Sequence, residues 1–193
     1  MNLSVTDVAH LYVSHLTDGN GLYIDATLGN GYDTLFLAQR LGEKGRIIAF
    51  DIAPQAFLKS QELLDKHQIN RTNITFIRDS HENIASYIKE EKITAAMFNL
   101  GYLPGSGQKY KTEAAVTLQA LDAVLCNLQQ GGIVTICSYV GHDNGEEDAV
   151  LQQFLLNVNN KRYEITKTTA IGRKLSPNVY LIIKTGQTDE KYV

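Results

Sequence analysis

The sequence predicts an α/β domain: a mostly parallel seven-stranded sheet, helices on both faces, and an antiparallel strand pair at the C-terminal end. Three observations carry this. From about residue 20, near-continuous apolar runs of strand length alternate with amphipathic segments of helical spacing, the pattern of a parallel sheet covered on both sides. Near the C-terminus the alternation stops, and two strand-like runs follow one another without a helix between them. With 44% hydrophobic and 20% charged residues, 15 Gly and 3 Pro, the 193-residue chain has the profile of a globular domain, excluding disorder, collagen-like repeats and coiled coil.

Each element has a local reason. Val5, Val8, Ala9, Tyr12 and Leu16 recur at helical spacing behind Ser4, a good helix cap. The first strand is Leu22–Ala26, with a helix over about 33–41 after it. The second is Arg46–Asp51; its helix starts at Pro54, a residue suited to a first turn, and runs to about His67. Ile74–Ile77 is a third strand, with a helix over about 82–89, and Thr94–Asn99 a fourth, with a long helix over about 112–128. Gly132–Cys137 is a fifth, followed by a helix over about 146–158. Tyr163–Thr169 and Val179–Thr185, joined through Gly172…Pro177, make the antiparallel pair. No repeat, low-complexity tract or linker interrupts the chain, so residues 1–193 read as one domain. Five parallel units closed by an antiparallel pair resemble the Rossmann-like class I fold of S-adenosylmethionine-dependent methyltransferases, whereas a dehydrogenase usually continues with parallel units.

Composition narrows the setting. No apolar run approaches the roughly 20 residues of a membrane span, and the first residues lack the basic region and apolar core of a secretory signal. Cys126 and Cys137 cannot form a disulfide framework or a four-ligand zinc site, so a cytoplasmic location is expected. His10, His15, His67, His81 and His142 show no metal-ligand spacing. Net charge is −3, which announces no nucleic-acid binder, but its distribution is uneven. Residues 1–100 carry nine Lys/Arg against twelve Asp/Glu, while residues 161–184 carry Lys161, Arg162, Lys167, Arg173, Lys174 and Lys184 against Glu164 alone. That end is either a phosphate-contacting edge or a solvated strand pair with ordinary lysines.

Ligands of an open parallel sheet bind beyond the carboxyl ends of its strands. The first strand runs into Asp25-Ala-Thr-Leu-Gly-Asn-Gly-Tyr-Asp-Thr34, where Gly29 and Gly31 let the backbone turn tightly. As a dinucleotide fingerprint it lacks the third glycine. An acid at Asp25 suits a different task, holding the ammonium of a methionine moiety. Asp51 closes the second strand, where a carboxylate can accept both ribose hydroxyls; it can also cap the helix ahead of Pro54. Asp79-Ser80-His81 ends the third and can reach an adenine ring, and Ser80 serves equally as a helix cap. Asn99-Leu-Gly-Tyr-Leu-Pro-Gly105 ends the fourth. Asn99 and Tyr102 take the outer places of the Asn/Asp-Pro-Pro-Tyr tetrapeptide of methyltransferases that act on exocyclic amines of bases, although Leu100-Gly101 replaces the prolines. An amide there can aim an amine lone pair, and a tyrosine ring can stack on a base. His142 contacts substrate, takes a proton, or is a loop residue without a role. Cys137, inside an apolar strand, reads as core.

Together the Asp25–Thr34 segment, Asn99–Gly105 and Tyr139-Val-Gly-His142 resemble the bacterial "putative rRNA methylase" family of MnmM-type tRNA methyltransferases over essentially the whole chain. The resemblance implies methyl transfer from S-adenosylmethionine to the aminomethyl group of 5-aminomethyl-(2-thio)uridine at the tRNA wobble position, with the anticodon loop as partner and a homodimer left open. Ser106-Gly107-Gln108-Lys109 departs from an expected Gly-Gly-Asp-Lys, and Ser176-Pro177-Asn178 from a denser Asn/Pro run. The candidate cofactor residues are Asp25, Thr27, Gly29, Asn30, Gly31, Asp33, Asp51, Gln55, Ser80, His81 and Asn99. Asn99 and Tyr102 are the catalytic candidates, and Tyr102, Pro104, Lys109, Tyr139 and His142 the substrate-side ones. The alternatives are an rRNA or small-molecule methyltransferase, or a non-catalytic nucleotide- or RNA-binding module on the same fold. The amine-aiming Asn99 argues against the last, and the basic end favours RNA over a small molecule.

Overall fold

A computed structural model of the chain describes residues 4–101, 112–141, 145–171 and 176–186. Helix α1 (Val5–Leu16) opens with a capping box: the Ser4 hydroxyl accepts the Asp7 N–H, and the Asp7 carboxylate accepts the Ser4 N–H. Five β–α units follow: β1 (Gly21–Asp25) and α2 (Tyr32–Ala38), β2 (Gly45–Phe50) and α3 (Pro54–Lys66), β3 (Ile74–Ile77) and α4 (Ile84–Ile88), β4 (Ile93–Asn99) and α5 (Ala114–Asn127), β5 (Leu128–Ser138) and α6 (Glu146–Leu156). Strands β6 (Tyr163–Thr169) and β7 (Asn178–Lys184) complete the sheet.

The strand order is β3-β2-β1-β4-β5-β7-β6, with β7 antiparallel to both β5 and β6. Thus β7 is inserted between β5 and β6, and β6 is the edge. Alternate residues of each central strand feed two separate cores. Leu22, Ile24, Ala96 and Phe98 face one side, with Ile84, Leu121 and Leu151 from α4, α5 and α6. Tyr23, Ile47, Ala95 and Met97 face the other, with Ala9, Val13, Leu35 and Leu64 from α1, α2 and α3. Both faces are buried, so no polar alternation marks these strands.

Most boundaries lie within one or two residues of the sequence expectation, and three elements depart from it further or in kind. Strand β5 begins at Leu128, because Leu128 is buried and paired with Ile93; a register irregularity then absorbs the turn at Gly131, whose φ is +72°. Helix α2 ends at Ala38 rather than near Leu41. The helix expected over 82–89 is a 3₁₀ turn at His81–Asn83 followed by the short α4, which stops where Lys89 takes a φ of +53°.

The basic C-terminal edge is corrected in part. Lys184 is 5% exposed and its Nζ donates to the Leu128 carbonyl at 2.8 Å, with burial pulling its pKa down. It shares a sheet face with Tyr180 and Ile182, which explains its inward direction. Lys167 lies over the Tyr180 ring and 3.5 Å from the buried Asp148 carboxylate, which also accepts from Asn178 and Tyr180. Lys161 and Arg162 are exposed, and Arg173 and Lys174 lie outside the described residues.

Candidate active site

The strand order reverses between β1 and β4, and there a cleft of about 1190 Å³ opens beyond the carboxyl ends of the strands. The loop after β1 forms its floor. Gly31 has a φ of +86°, and a Cβ on it would stand 2.5 Å from the Ser60 Cβ of α3, so the turn into α2 accepts only glycine. Asp25 is fully buried: its Oδ2 accepts the Thr34 hydroxyl at 2.6 Å and its Oδ1 the Thr27 N–H at 3.1 Å. Burial, then the neighbouring Asp33, pushes its pKa well above the usual carboxylate range. Asp25 is not among the residues lining the cleft. It ties the loop to the first turn of α2 instead.

The acid that this loop-helix junction presents to the cleft is Asp33, on that first turn and 5% exposed. Its Oδ1 is 2.7 Å from His10 Nε2, and its Oδ2 accepts the Asn99 side-chain N–H at 3.3 Å. The Asn99 backbone N–H donates to Thr27 Oγ1 at 2.7 Å, joining the ends of β4 and β1.

At the end of β2, Asp51 Oδ2 accepts the Gly29 N–H at 2.9 Å and Oδ1 accepts the Ala53 N–H at 2.8 Å. It therefore braces the glycine loop and the entry to α3 while lining the cleft. Burial raises its pKa against these backbone donors, which lower it. Beyond β3, Asp79 holds the turn by accepting from the Ser80 N–H, the Asn83 amide and the Tyr87 hydroxyl. Ser80 makes no side-chain cap and lines the cleft with His81. Burial pulls the His81 pKa down to about 4, so its imidazole is neutral near pH 7. Two polar atoms in this wall, His81 Nε2 and Asn30 Oδ1, are buried without a hydrogen-bond partner among the described residues. Such atoms call for a polar ligand.

Thus Thr27, Gly29, Asn30, Asp33, Asp51, Ser80, His81 and Asn99 are brought together at the cleft, and Tyr139 stands on its far wall, past β5. Gln55 lies exposed on the first turn of α3, outside the lining set. Tyr102, Pro104, Lys109 and His142 lie outside the described residues. Burial raises the pKa of Cys137 well above the thiol range, consistent with a core residue. Sequence reasoning missed α1 as a wall: Ser4, Thr6, Asp7 and His10 line the cleft, and Thr6 Oγ1 is 3.5 Å from the Tyr139 hydroxyl. The available signal was that Thr6 and His10 are four residues apart, on one helical face.

Residues 47–184, well over half of the chain, match the family described as "Putative rRNA methylase". The chain belongs to this family. The methylase is 34% identical to a "putative rRNA-methylase" of Clostridium thermocellum whose crystal structure superposes with a TM-score of 0.89, covering 95% of this chain and 99% of that one. A "putative methyltransferase" of Streptococcus mutans, solved in complex with SAH, is 32% identical with a TM-score of 0.84, covering 95% and 99%. An Arabidopsis thaliana chloroplastic protein named tRNA (mnm(5)s(2)U34)-methyltransferase is 29% identical over 188 residues, 93% of this chain and 69% of the relative. The methylase thus has the class I fold of S-adenosylmethionine-dependent enzymes. Its cleft fits that cofactor: a strand-end carboxylate at β2, two orphaned polar atoms, and a glycine turn that a Cβ would fill. Among the described residues, no helix is long and apolar enough to cross a membrane.

Proposed function

We propose that the methylase transfers the methyl group of S-adenosylmethionine to the amine of 5-aminomethyl-(2-thio)uridine at the tRNA wobble position. The observation that carries this is the side chain of Asn99. Its NH₂ is turned to Asp33, which leaves the carbonyl oxygen to accept an N–H from an incoming amine. The name of the Arabidopsis relative supports the same acceptor.

The cofactor supplies an electrophilic methyl with a good leaving group. Asp51 takes the ribose hydroxyls, Ser80 and His81 the adenine edge, and the Gly29–Gly31 turn with Asp33 the methionine end. Asn99 accepts one amine N–H and so aims the nitrogen lone pair, while water takes the proton released after attack. Alignment of this kind can lower a barrier by about 7–11 kcal/mol at most. A wobble nucleotide suits the site because an anticodon loop is single-stranded and its bases can be splayed out without breaking a pair. Tyr102, Pro104, Lys109, Tyr139 and His142 are assigned to the substrate side, and the protein works in the cytoplasm.

The test is nucleoside mass spectrometry of tRNA from a strain lacking the gene. The 5-methylaminomethyl-2-thiouridine peak should vanish and the aminomethyl precursor accumulate. Purified protein should methylate that tRNA and leave tRNA without the aminomethyl arm untouched. An unchanged peak in a strain with no other source of the modification, or labelling of rRNA in its place, overturns the assignment.

The buried Lys184 yields a second expectation. Lys184→Met should leave the salt dependence of tRNA binding unchanged, whereas losing a phosphate contact lowers the slope by about 0.7–0.9. Filter binding across a salt series checks this.

A further inference from the structure

We propose that His10 is a positioning residue of the acceptor site, acting through Asp33 to fix which end of the Asn99 amide faces the cleft. The inference rests on the reading that Asn99 receives the acceptor amine. His10 Nε2 lies 2.7 Å from Asp33 Oδ1, and its ring is stacked on Phe36 with centroids 3.8 Å apart and planes 2° from parallel. The imidazole plane is therefore set by α2, and its position by α1, whose Ala9 and Val13 are buried in the core. Asp33 in turn meets the Asn99 NH₂ through its other oxygen.

Chemistry makes this chain directional. An ionised carboxylate only accepts, so it holds Asn99 by its NH₂ and turns the amide oxygen away from itself. The Asn99 backbone is already fixed by Thr27, so the freedom left to the residue is rotation of its side chain. A flipped amide would present N–H to the amine, with nothing to accept from it. Asp33 also stands near a second carboxylate, Asp25, which is wholly buried. With the His10 N–H on its Oδ1, the Asp33 carboxylate is held with Oδ2 toward the Asn99 NH₂; without that contact the carboxylate can turn and release the amide.

The test is a double-mutant cycle on the full-length protein. His10→Ala should lower kcat at least 10-fold, with SAH affinity by calorimetry within twofold of wild type. His10→Gln, whose amide N–H can reach Asp33, should recover most of the rate. In an Asn99→Ala background, His10→Ala should have no further effect, since the group it positions is gone. Independently of turnover, the Asn99 side-chain amide resonances should move in His10→Ala and return in His10→Gln. Equal rate losses from His10→Ala in both backgrounds, or a Gln variant as slow as the Ala variant, would overturn the proposal. The cycle is run on whichever RNA the wild type methylates. Failure of the wobble acceptor thus shows in the wild type alone, and failure of the His10 role in the cycle.

Discussion

Asn99→Ala is expected to slow methyl transfer about 100-fold while leaving cofactor affinity within about twofold. The substitution keeps the backbone N–H that donates to Thr27, so the junction of β4 with the loop after β1 survives. What it removes is the amide between Asp33 and the cleft. Losing a preorganised polar group at a reacting centre costs about 10²–10³ in rate, and misplacing a reactant by about 1 Å costs a similar 10². A factor of 100 corresponds to about 2.7 kcal/mol of transition-state stabilisation. Asn99→Asp should be no better, because it sets a second carboxylate against Asp33 where an N–H donor stood. Single-turnover rates with saturating RNA, beside calorimetry with SAH, separate the two quantities. A wild-type rate, or a loss confined to cofactor affinity, would remove Asn99 from the amine site.

The sheet was legible because its strands are buried on both faces. Ile93–Asn99 is apolar at nearly every position, a pattern that only a covered central strand sustains. The insertion of β7 between β5 and β6 was not legible, since alternation gives the faces of a strand and not its neighbours. At the site, the positions of the strand-end residues could be read, but the direction of each side chain could not. Asp25 and Asp51 both end parallel strands, yet one is consumed by Thr34 and Thr27 inside the loop and the other lines the cleft. The two readings left open for Ser80 are separated for a similar reason: either residue can hold a turn, and only the hydrogen bonds from Asn83 and Tyr87 assign that task to Asp79, while Ser80 makes no side-chain cap. The contact of His10 with Asp33 could not be read, because the two are 23 residues apart on different helices. Lys184 could have been read, because it continues the inward parity of Tyr180 and Ile182.

Asp51→Ala is the complementary expectation: SAH affinity should fall about 10–100-fold, or about 1.4–2.7 kcal/mol, with the fold intact. Two losses contribute. Ribose hydroxyls would be buried without an acceptor, and the Gly29 and Ala53 N–H groups would lose theirs, loosening the glycine turn. Asp51→Asn should fall between, because an amide keeps one acceptor oxygen. Protonation should act in the same direction. Burial raises the Asp51 pKa, so affinity should decline on acidification at a higher pH than an exposed aspartate would dictate. A ligand lacking the ribose hydroxyls separates the two losses. If Asp51 accepts them, dideoxy-SAH binds wild type much more weakly than SAH does, but binds the Ala variant about as well as SAH does. An equal penalty in both proteins would make Asp51 a brace for the loop alone and move the ribose contact elsewhere in the cleft.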